Sequence, residues 1–151
     1  MNIYWKHNEH LVSPADLETA QVLIDWIDPK KSADKLRGWK KGRGLVVERE
    51  IQIHPGLKNV DAILAFSSWE HRHLTDEAWL ILSGGGTMEV EADMEKIMKF
   101  ELGPGDIILI PANRHHRFIC AADKRVKFLR LLPDISGWKS IYRKRKEMAP
   151  V

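Results

Sequence analysis

The stretch TMEVEA, residues 87–92, indicates the fold most directly, because apolar and polar residues alternate in it without interruption. Successive side chains of a β-strand point to opposite faces, so this alternation predicts a strand with one buried and one solvated face. Residues 93–95 then predict a turn. The strand that returns has its own inward row: Met98, Phe100 and Leu102. The middle of the chain is therefore predicted to be antiparallel β-structure.

The same period of two residues continues on both sides of this hairpin. Predicted strands cover residues 45–53, 62–68, 70–73, 78–82, 107–110, 118–121 and 126–132. Gly- and Pro-containing turns separate several of them, as at 54–56, 84–86 and 103–106. Many short strands joined by turns predict a sandwich or a small barrel, with the strand at 107–110 buried on both faces.

Helices are predicted mainly at the ends of the chain. Ser13 is the expected N-cap of a first helix, whose apolar face contains Leu17, Ala20, Leu23, Ile24 and Ile27 and which ends at Pro29. Residues 32–40 predict a second short helix and residues 137–144 a last one. The expected organisation is a single domain. It has a helical N-terminal extension (1–44), a barrel (45–133), and a C-terminal helix with a basic tail (134–151).

The composition limits the possible classes of protein. The chain has 151 residues, of which 44% are hydrophobic and 30% charged, as in a globular domain. No apolar run approaches the roughly 20 residues of a transmembrane helix, and the polar N-terminus does not resemble a secretory leader. The single cysteine, Cys120, fits a reducing compartment, so a cytoplasmic location is expected.

The charge distribution does not favour nucleic acid as a partner of this chain. The formal net charge is only +3, and two basic stretches, 35–43 and 143–146, carry much of the positive charge. The second could contact phosphates or an anionic membrane, but no aromatic or groove-reading motif accompanies it, which favours a solvated tail. The sequence leaves the oligomeric state open.

A cluster of potential metal ligands lies between the predicted strands. If residues 71–77 were one extended strand, His71, His73 and Glu77 would share a face. Two imidazoles and a carboxylate are typical ligands of a divalent transition metal, although a His-x-His pair can also be two ordinary histidines of a strand. His116 shares its face with the apolar residues Phe118 and Cys120, so it points inward. The adjacent His115 is expected at the rim.

Arg130 is unusual because it falls in an apolar row of the strand at 126–132. Arginine is rarely buried without a partner. Three explanations remain open: it neutralises an anion in the cavity, it pairs with a buried carboxylate for structural reasons, or an irregular strand lets it reach solvent.

Two segments resemble the paired metal-binding signatures of the cupin superfamily. The first is His71, His73 and Glu77 followed by Gly84, and the second is Gly105, Pro111 and His116. The resemblance implies a mostly β fold, a double-stranded β-helix or jelly-roll barrel, with His116 as the fourth ligand.

The flanking residues narrow the resemblance to the acireductone dioxygenases. The stretches that carry it are EHRHLTDE at 70–77, ILSG at 81–84, IPA at 110–112, HRF at 116–118, RLL at 130–132 and GW at 137–138. That family acts in methionine salvage on an acireductone, an enediol with a methylthio tail. The resemblance implies a metal-dependent dioxygenase that binds this enediol through two oxygens and cleaves its carbon chain.

The resemblance also implies roles for individual residues. The metal ligands would be His71, His73, Glu77 and His116, Arg130 would hold the substrate oxyanion as a catalytic residue, and Phe118 would line the substrate pocket. Iron(II) is the expected cofactor, giving formate and a keto acid, whereas nickel gives carbon monoxide as well. Manganese or cobalt would suit the same ligands. The partners would be a small-molecule substrate and dioxygen.

One position departs from the family pattern. Two residues after the glutamate, the family usually has an arginine that assists substrate binding, whereas this chain has Trp79. In a strand, Trp79 lies on the same face as Glu77, which places it in the substrate pocket. This substitution favours one alternative, another metal-cupin enzyme, such as a dioxygenase for a different substrate, an isomerase or a lyase. A non-catalytic metal-cupin sensor is a further alternative, but the intact set of four ligands argues against it.

Overall fold

The computed structural model describes residues 1–31 and 33–143, and it consists mainly of two antiparallel sheets. Eleven strands are present in this part of the chain: β1 (Asn2–Trp5), β2 (Leu23–Trp26), β3 (Val47–Ile53), β4 (His71–Arg72), β5 (Glu77–Gly84), β6 (Gly86–Glu91), β7 (Ile97–Leu102), β8 (Asp106–Ile110), β9 (His116–Cys120), β10 (Val126–Leu132) and β11 (Ile141–Tyr142). The helices are α1 (Pro14–Ala20), α2 (Ala33–Gly42) and α3 (Val60–Ser67).

The strand order is that of two sheets whose neighbouring strands come from distant parts of the chain. One sheet has the order β1-β7-β6-β9-β4-β11 and the other β2-β8-β5-β10-β3. All of these pairings are antiparallel. The predicted mostly β, double-sheet fold is confirmed.

The main core lies between the two sheets. The inward rows predicted for the central hairpin are fully buried there, as Met88, Val90, Met98 and Phe100 have no exposed surface. A second apolar cluster covers the outer face of the five-stranded sheet, where Trp39 of α2 packs with Leu80, Ile107 and Leu131. Strand β8 contributes to both clusters, so the prediction that it is buried on both faces is confirmed.

The first helix is shorter than predicted. The N-cap Ser13 forms a capping box with Asp16, but Gln21 adopts a left-handed conformation (φ 60°) and ends α1 at Ala20. Residues 23–26 are strand β2, which pairs with β8 at the edge of the five-stranded sheet. The predicted helical face through Leu23, Ile24 and Ile27 was wrong. A short apolar run is compatible with both the helical and the strand period, and hydrogen bonding to the edge of β8 makes this one a strand.

The region predicted as a strand at 62–68 is helix α3. Its sequence, VDAILAFS, is too uniformly apolar for its period to be read, and the helix packs against β9 beside the cavity described below. The helix predicted at 32–40 is confirmed as α2, with Ser32 itself outside the described residues.

The C-terminal helix predicted at 137–144 is replaced by two short elements. Residues Ile135–Trp138 form a 3-10 turn, and Ile141–Tyr142 form β11, which pairs with β4. Residue 144 and most of the basic tail lie outside the described residues. Among the described helices, none has the length and apolar character needed to cross a bilayer.

Candidate metal centre

The three residues of the first metal-binding segment lie on two different sheets. His71 is in β4 of the six-stranded sheet, and Glu77 begins β5 of the five-stranded sheet. The prediction that His71, His73 and Glu77 share one face of a single strand was therefore wrong. The strand ends at Arg72, and residues 73–76 cross to the opposite sheet, so the side chains meet in the space between the sheets.

His116, the first residue of β9, completes this cluster. It is the direct register partner of His71, and their ring centroids are 4.5 Å apart. The ring of His73 lies 5.1 Å from that of His71 and 5.3 Å from that of His116. One potential ligand atom from each histidine lies within 4.8 Å of the others. All three rings and Glu77 are buried. The structure thus brings together the four residues that the sequence singled out.

Backbone carbonyls orient the three imidazoles in the same way. Each Nδ1 lies within hydrogen-bond distance of a carbonyl oxygen, at 2.7 Å for His71, 3.0 Å for His73 and 2.8 Å for His116. The carbonyls belong, in that order, to Trp69, Lys139 and Arg114. A ring that donates from Nδ1–H to a carbonyl has Nε2 available as a metal ligand, the arrangement common in metal sites.

The histidines are suited to bind a cation at neutral pH. Burial lowers the pKa of His71 to about 4, with a further decrease caused by the nearby His116. Burial is also the largest cause of the lowered pKa of His73. Both rings are neutral at pH 7, and a neutral imidazole is the form that binds metals.

Glu77 supplies the negative charge of the cluster. Burial alone would raise the pKa of its carboxyl, but the His116 imidazole and the Arg130 guanidinium outweigh burial and hold this pKa well below its usual range. Glu77 Oε1 lies 2.8 Å from His116 Nε2 and 3.5 Å from His73 Nε2. Nevertheless, neither Oε1 nor His116 Nε2 makes an aligned hydrogen bond within the described part of the chain.

These two unsatisfied atoms fit a shared metal ion. Buried polar atoms without partners are rare and call for an explanation. Two neighbouring ligands of an octahedral ion, each at about 2.1 Å, are about 3 Å apart, which is close to the observed 2.8 Å between the Glu77 and His116 atoms. An imidazole nitrogen and a carboxylate oxygen are suitable donors for a divalent transition metal.

Arg130 is paired with the carboxylate of the cluster. Its Nε donates to Glu77 Oε2 at 2.8 Å, its Nη2 donates to the carbonyl of Gly137 at 3.2 Å, and its guanidinium carbon is 4.8 Å from the centre of the Trp138 ring. Only 12% of the side chain is exposed. Of the three explanations for an inward arginine, pairing with a buried carboxylate describes this arrangement.

A cavity of about 200 Å³ opens beside the cluster. The two pocket residues named from the sequence, Trp79 and Phe118, both line it, with their ring centroids 4.9 Å apart. The Trp79 ring also stacks on Phe128, at a centroid distance of 3.8 Å and an interplanar angle of 9°. The cavity is thus bordered by polar side chains on one side and by aromatic rings on the other.

Sequence reasoning missed several residues that line the cavity. Ile63, Phe66 and Ser67 of α3 line it, as do Ser140 and Tyr142 near β11. These residues lie in the two regions whose secondary structure was predicted wrongly. The signal available in the sequence was the aromatic residue Phe66, five residues before His71.

His115 lies outside the cluster, as expected of a residue at the rim. Its Nδ1 is 3.9 Å from Glu91, and the residue is partly exposed.

Two facing antiparallel sheets with three histidines and a glutamate between them define a metal cupin. Comparison with known proteins identifies the branch: the chain belongs to the ARD/ARD' family, whose model matches residues 8–140. An acireductone dioxygenase of Exiguobacterium sibiricum is 33% identical over 135 residues, covering 87% of this chain and 75% of that protein. One of Heterostelium pallidum is 29% identical over 143 residues, covering 95% and 98%.

A solved structure shows the same fold. The acireductone dioxygenase of Bacillus anthracis, determined with a cadmium ion in its active center, superposes with a TM-score of 0.84, covering 93% of this chain and 97% of that one at 23% identity. An oxalate decarboxylase mutant of Bacillus subtilis gives a TM-score of 0.51 at 20% identity, covering 85% of this chain and 29% of its own. With its family and its histidine cluster, the chain is a metal-dependent dioxygenase.

Proposed function

We propose that this protein is an acireductone dioxygenase in which His71, His73, Glu77 and His116 hold one divalent transition metal ion, iron(II). The observation that carries the proposal is the pair of buried, unsatisfied atoms, Glu77 Oε1 and His116 Nε2, facing each other at 2.8 Å. The cadmium ion in the active center of the Bacillus anthracis enzyme supports a metal at this place in the fold.

The proposed substrate is an acireductone, an enediol with a methylthio tail, which would bind through its two adjacent oxygens. The four ligand residues would hold an iron(II) ion, which would supply Lewis acidity and reactivity towards dioxygen. The products under iron would be formate and the keto acid of methionine salvage. Nickel, manganese and cobalt fit the same donors.

The chain's own residues contribute charge, position and exclusion of water. Glu77 offsets positive charge in a buried site, and the carbonyl-bonded histidines hold their rings in fixed orientations. Trp79, Phe118 and Phe128 keep the other side of the cavity apolar, which strengthens electrostatic interactions within it.

Arg130 is proposed to act on both the carboxylate and the substrate. Its Nε is paired with Glu77, its Nη2 lies within hydrogen-bond distance of the Gly137 carbonyl and the His73 ring, and Nη1 makes no hydrogen bond with the described residues. We assign Nη1 to the substrate oxyanion, which gives Arg130 its catalytic role. The pairing with Glu77 holds the guanidinium at the polar side of the cavity.

The wider biological setting belongs to the same proposal. The single cysteine favours a reducing compartment, and we place the protein in the cytoplasm, with a small molecule and dioxygen as partners and neither membrane nor nucleic acid. We also treat the chain as a single domain, with an N-terminal extension (1–44), a barrel (45–133) and a C-terminal segment (134–151).

The direct test is oxygen consumption by the iron-loaded protein with a synthetic acireductone. The wild type is expected to consume oxygen, and His116→Ala to lose both stoichiometric iron and this activity. His115→Ala is the matched control, because the neighbouring histidine lies outside the cluster and should leave both properties unchanged. If fully metallated wild-type protein consumes no oxygen with this substrate, the proposed activity is wrong even though the fold stands.

Trp79 favours a second candidate, a metal-cupin enzyme that acts on a different enediol. The position faces the cavity, and a large neutral ring occupies it where the family usually has arginine. Acireductone turnover by Trp79→Arg separates the two candidates. A clear gain over wild type would mean that the natural substrate is another compound, whereas a loss supports the acireductone.

A further inference from the structure

The cavity has two chemically different sides. Five polar residues form one side: His71, His73, Glu77, His116 and Arg130. Seven apolar residues lie among the rest of the lining: Ile51, Ile53, Ile63, Phe66, Trp79, Phe118 and Phe128. A molecule that places polar atoms against the histidines therefore meets hydrocarbon and aromatic surface with its remaining part.

A stacked pair of rings forms a rigid part of the apolar side. Trp79 and Phe128 lie on adjacent strands of one sheet, β5 and β10, and stack almost parallel at 3.8 Å. Both are buried, with 8% and 3% of their surfaces exposed. Because the sheet hydrogen bonds fix both strands and each ring covers the other, neither ring can move aside without breaking the stack.

This pair lies close to the polar side. Trp79 is two residues beyond Glu77 on the same face of β5, so the two positions are about 7 Å apart along the strand. With single bonds of about 1.5 Å, this spacing corresponds to a chain of about five bonds. The stacked rings therefore limit how far a substrate tail can extend along the sheet.

The apolar side offers no counter-charge for an ionised tail, and the polar atom that it leaves without a partner among the described residues is the N–H donor of Trp79, Nε1. Among the described residues that line the cavity, Arg130 is the only lysine or arginine, and its Nε is engaged with Glu77. An ionised group placed against Trp79 and Phe128 would lose its hydration without gaining a counter-charge, which is strongly unfavourable.

We propose that Trp79, stacked on Phe128, is a specificity-determining residue that selects enediols with a short, uncharged, hydrocarbon-like tail. The inference rests on the proposed function, because it takes the enediol oxygens to be bound at the histidine cluster. The Trp79 ring limits the length of the tail, and the lack of a free cation beside it excludes tails that end in a carboxylate.

The experiment measures the binding of a series of straight-chain alkyl hydroxamates to zinc-loaded protein by calorimetry. A hydroxamate offers two adjacent oxygens and is stable in air, so binding is measured without turnover. In the wild type, the Kd should fall about fourfold for each added methylene and rise once the tail reaches the stacked rings. A tail that ends in a carboxylate should bind at least tenfold more weakly than an alkyl tail of equal length.

Variants of Trp79 test the assignment to this residue. Trp79→Ala should move the optimum to a tail at least two methylenes longer, and Trp79→Phe, a milder change that protects against a folding failure, should move it by about one. Trp39→Ala is the matched control, because this tryptophan is equally buried but packs on the outer face of the five-stranded sheet. It should leave the optimum unchanged.

The outcomes separate the inference from the function on which it rests. If acetohydroxamate binds but the optimum is the same in the wild type, Trp79→Ala and Trp79→Phe, the inference is wrong and the metal-site proposal stands. Equal affinity for carboxylate-ended and alkyl tails would overturn it as well. If the protein binds no zinc, or zinc-loaded protein binds no acetohydroxamate, the proposed function fails and the inference fails with it.

Discussion

Replacing Arg130 by glutamine should destabilise the metal-free protein by about 1–2 kcal/mol more than the metal-loaded protein. The guanidinium is the cation paired with the fully buried Glu77 carboxylate. In the metal-free variant this carboxylate would be buried without a counter-charge. In the loaded variant, the bound cation would take over that part of the role of Arg130.

The expected magnitudes follow from the contacts. Removing one partner of a buried ion pair costs about 3–5 kcal/mol, and only 12% of the Arg130 side chain is exposed, so solvent screening is small. With the ion bound, the loss is limited to the contacts of the guanidinium with the Gly137 carbonyl, the His73 ring and Trp138, together about 2–3 kcal/mol. Metal should therefore stabilise the variant by about 1–2 kcal/mol more than it stabilises the wild type.

Chemical denaturation with urea, followed by circular dichroism, measures these differences. Wild type and Arg130→Gln are compared after chelation and with saturating zinc, which avoids oxidative side reactions. Arg125→Gln is the control, since Arg125 is an exposed arginine immediately before the same strand. It should change stability little and equally in both states. Equal destabilisation of Arg130→Gln with and without metal would refute the reasoning, because Glu77 would then not be a ligand.

Three further predictions concern the metal and the frame around it. Chelation should lower the Tm of the wild type, and re-addition of metal should restore it, because the ion binds only the folded cluster; a Tm that does not respond contradicts a site of this kind. In urea titrations, Glu89→Gln should be destabilising at pH 7 and progressively less so as the pH falls below about 4.5. Burial opposes ionisation of Glu89, but Lys6 and Arg117 lower its pKa below the ordinary value, so its contribution is complete above about pH 4.5 and is lost as the pH falls through the lowered pKa; a destabilisation that does not decrease as the pH falls would exclude this cause. Gly84→Ala should lower the free energy of unfolding by at least about 1–3 kcal/mol, because φ is +70° and the added Cβ would lie 2.2 Å from the carbonyl oxygen of Arg125. Gly103→Ala is the control, because a Cβ there would meet open space, and its Tm should be close to that of the wild type.

The sheet strands with clear alternation were predictable from the sequence. The inward rows of β6 and β7 follow from period-two patterns that no helix would satisfy. The doubly buried β8 has no such pattern, and its short apolar run is identified as a strand by the Gly-Pro-Gly turn before it and Pro111 after it. The errors fall where an apolar run is short and its period ambiguous. Residues 23–26 and 62–68 are such runs, and in both cases packing against a distant strand determined the structure.

The residues of the candidate site were predictable, but the geometry that joins them was not. Strand parity selected His116 over His115, and the structure agrees, because β9 begins at His116 and directs it inward. The same reasoning joined His71, His73 and Glu77 on one strand, although the chain changes sheets between them. The carbonyls that orient the rings come from three separate segments, and residue spacing contains no information about such contacts.

The most direct test of a four-ligand metal centre is an anomalous difference map from crystals of the iron- or nickel-loaded protein, recorded at the absorption edge of the metal. The account predicts one dominant peak at about 2.0–2.2 Å from Nε2 of His71, His73 and His116 and from a carboxylate oxygen of Glu77. A peak elsewhere, or one that omits His116 or Glu77, would contradict it.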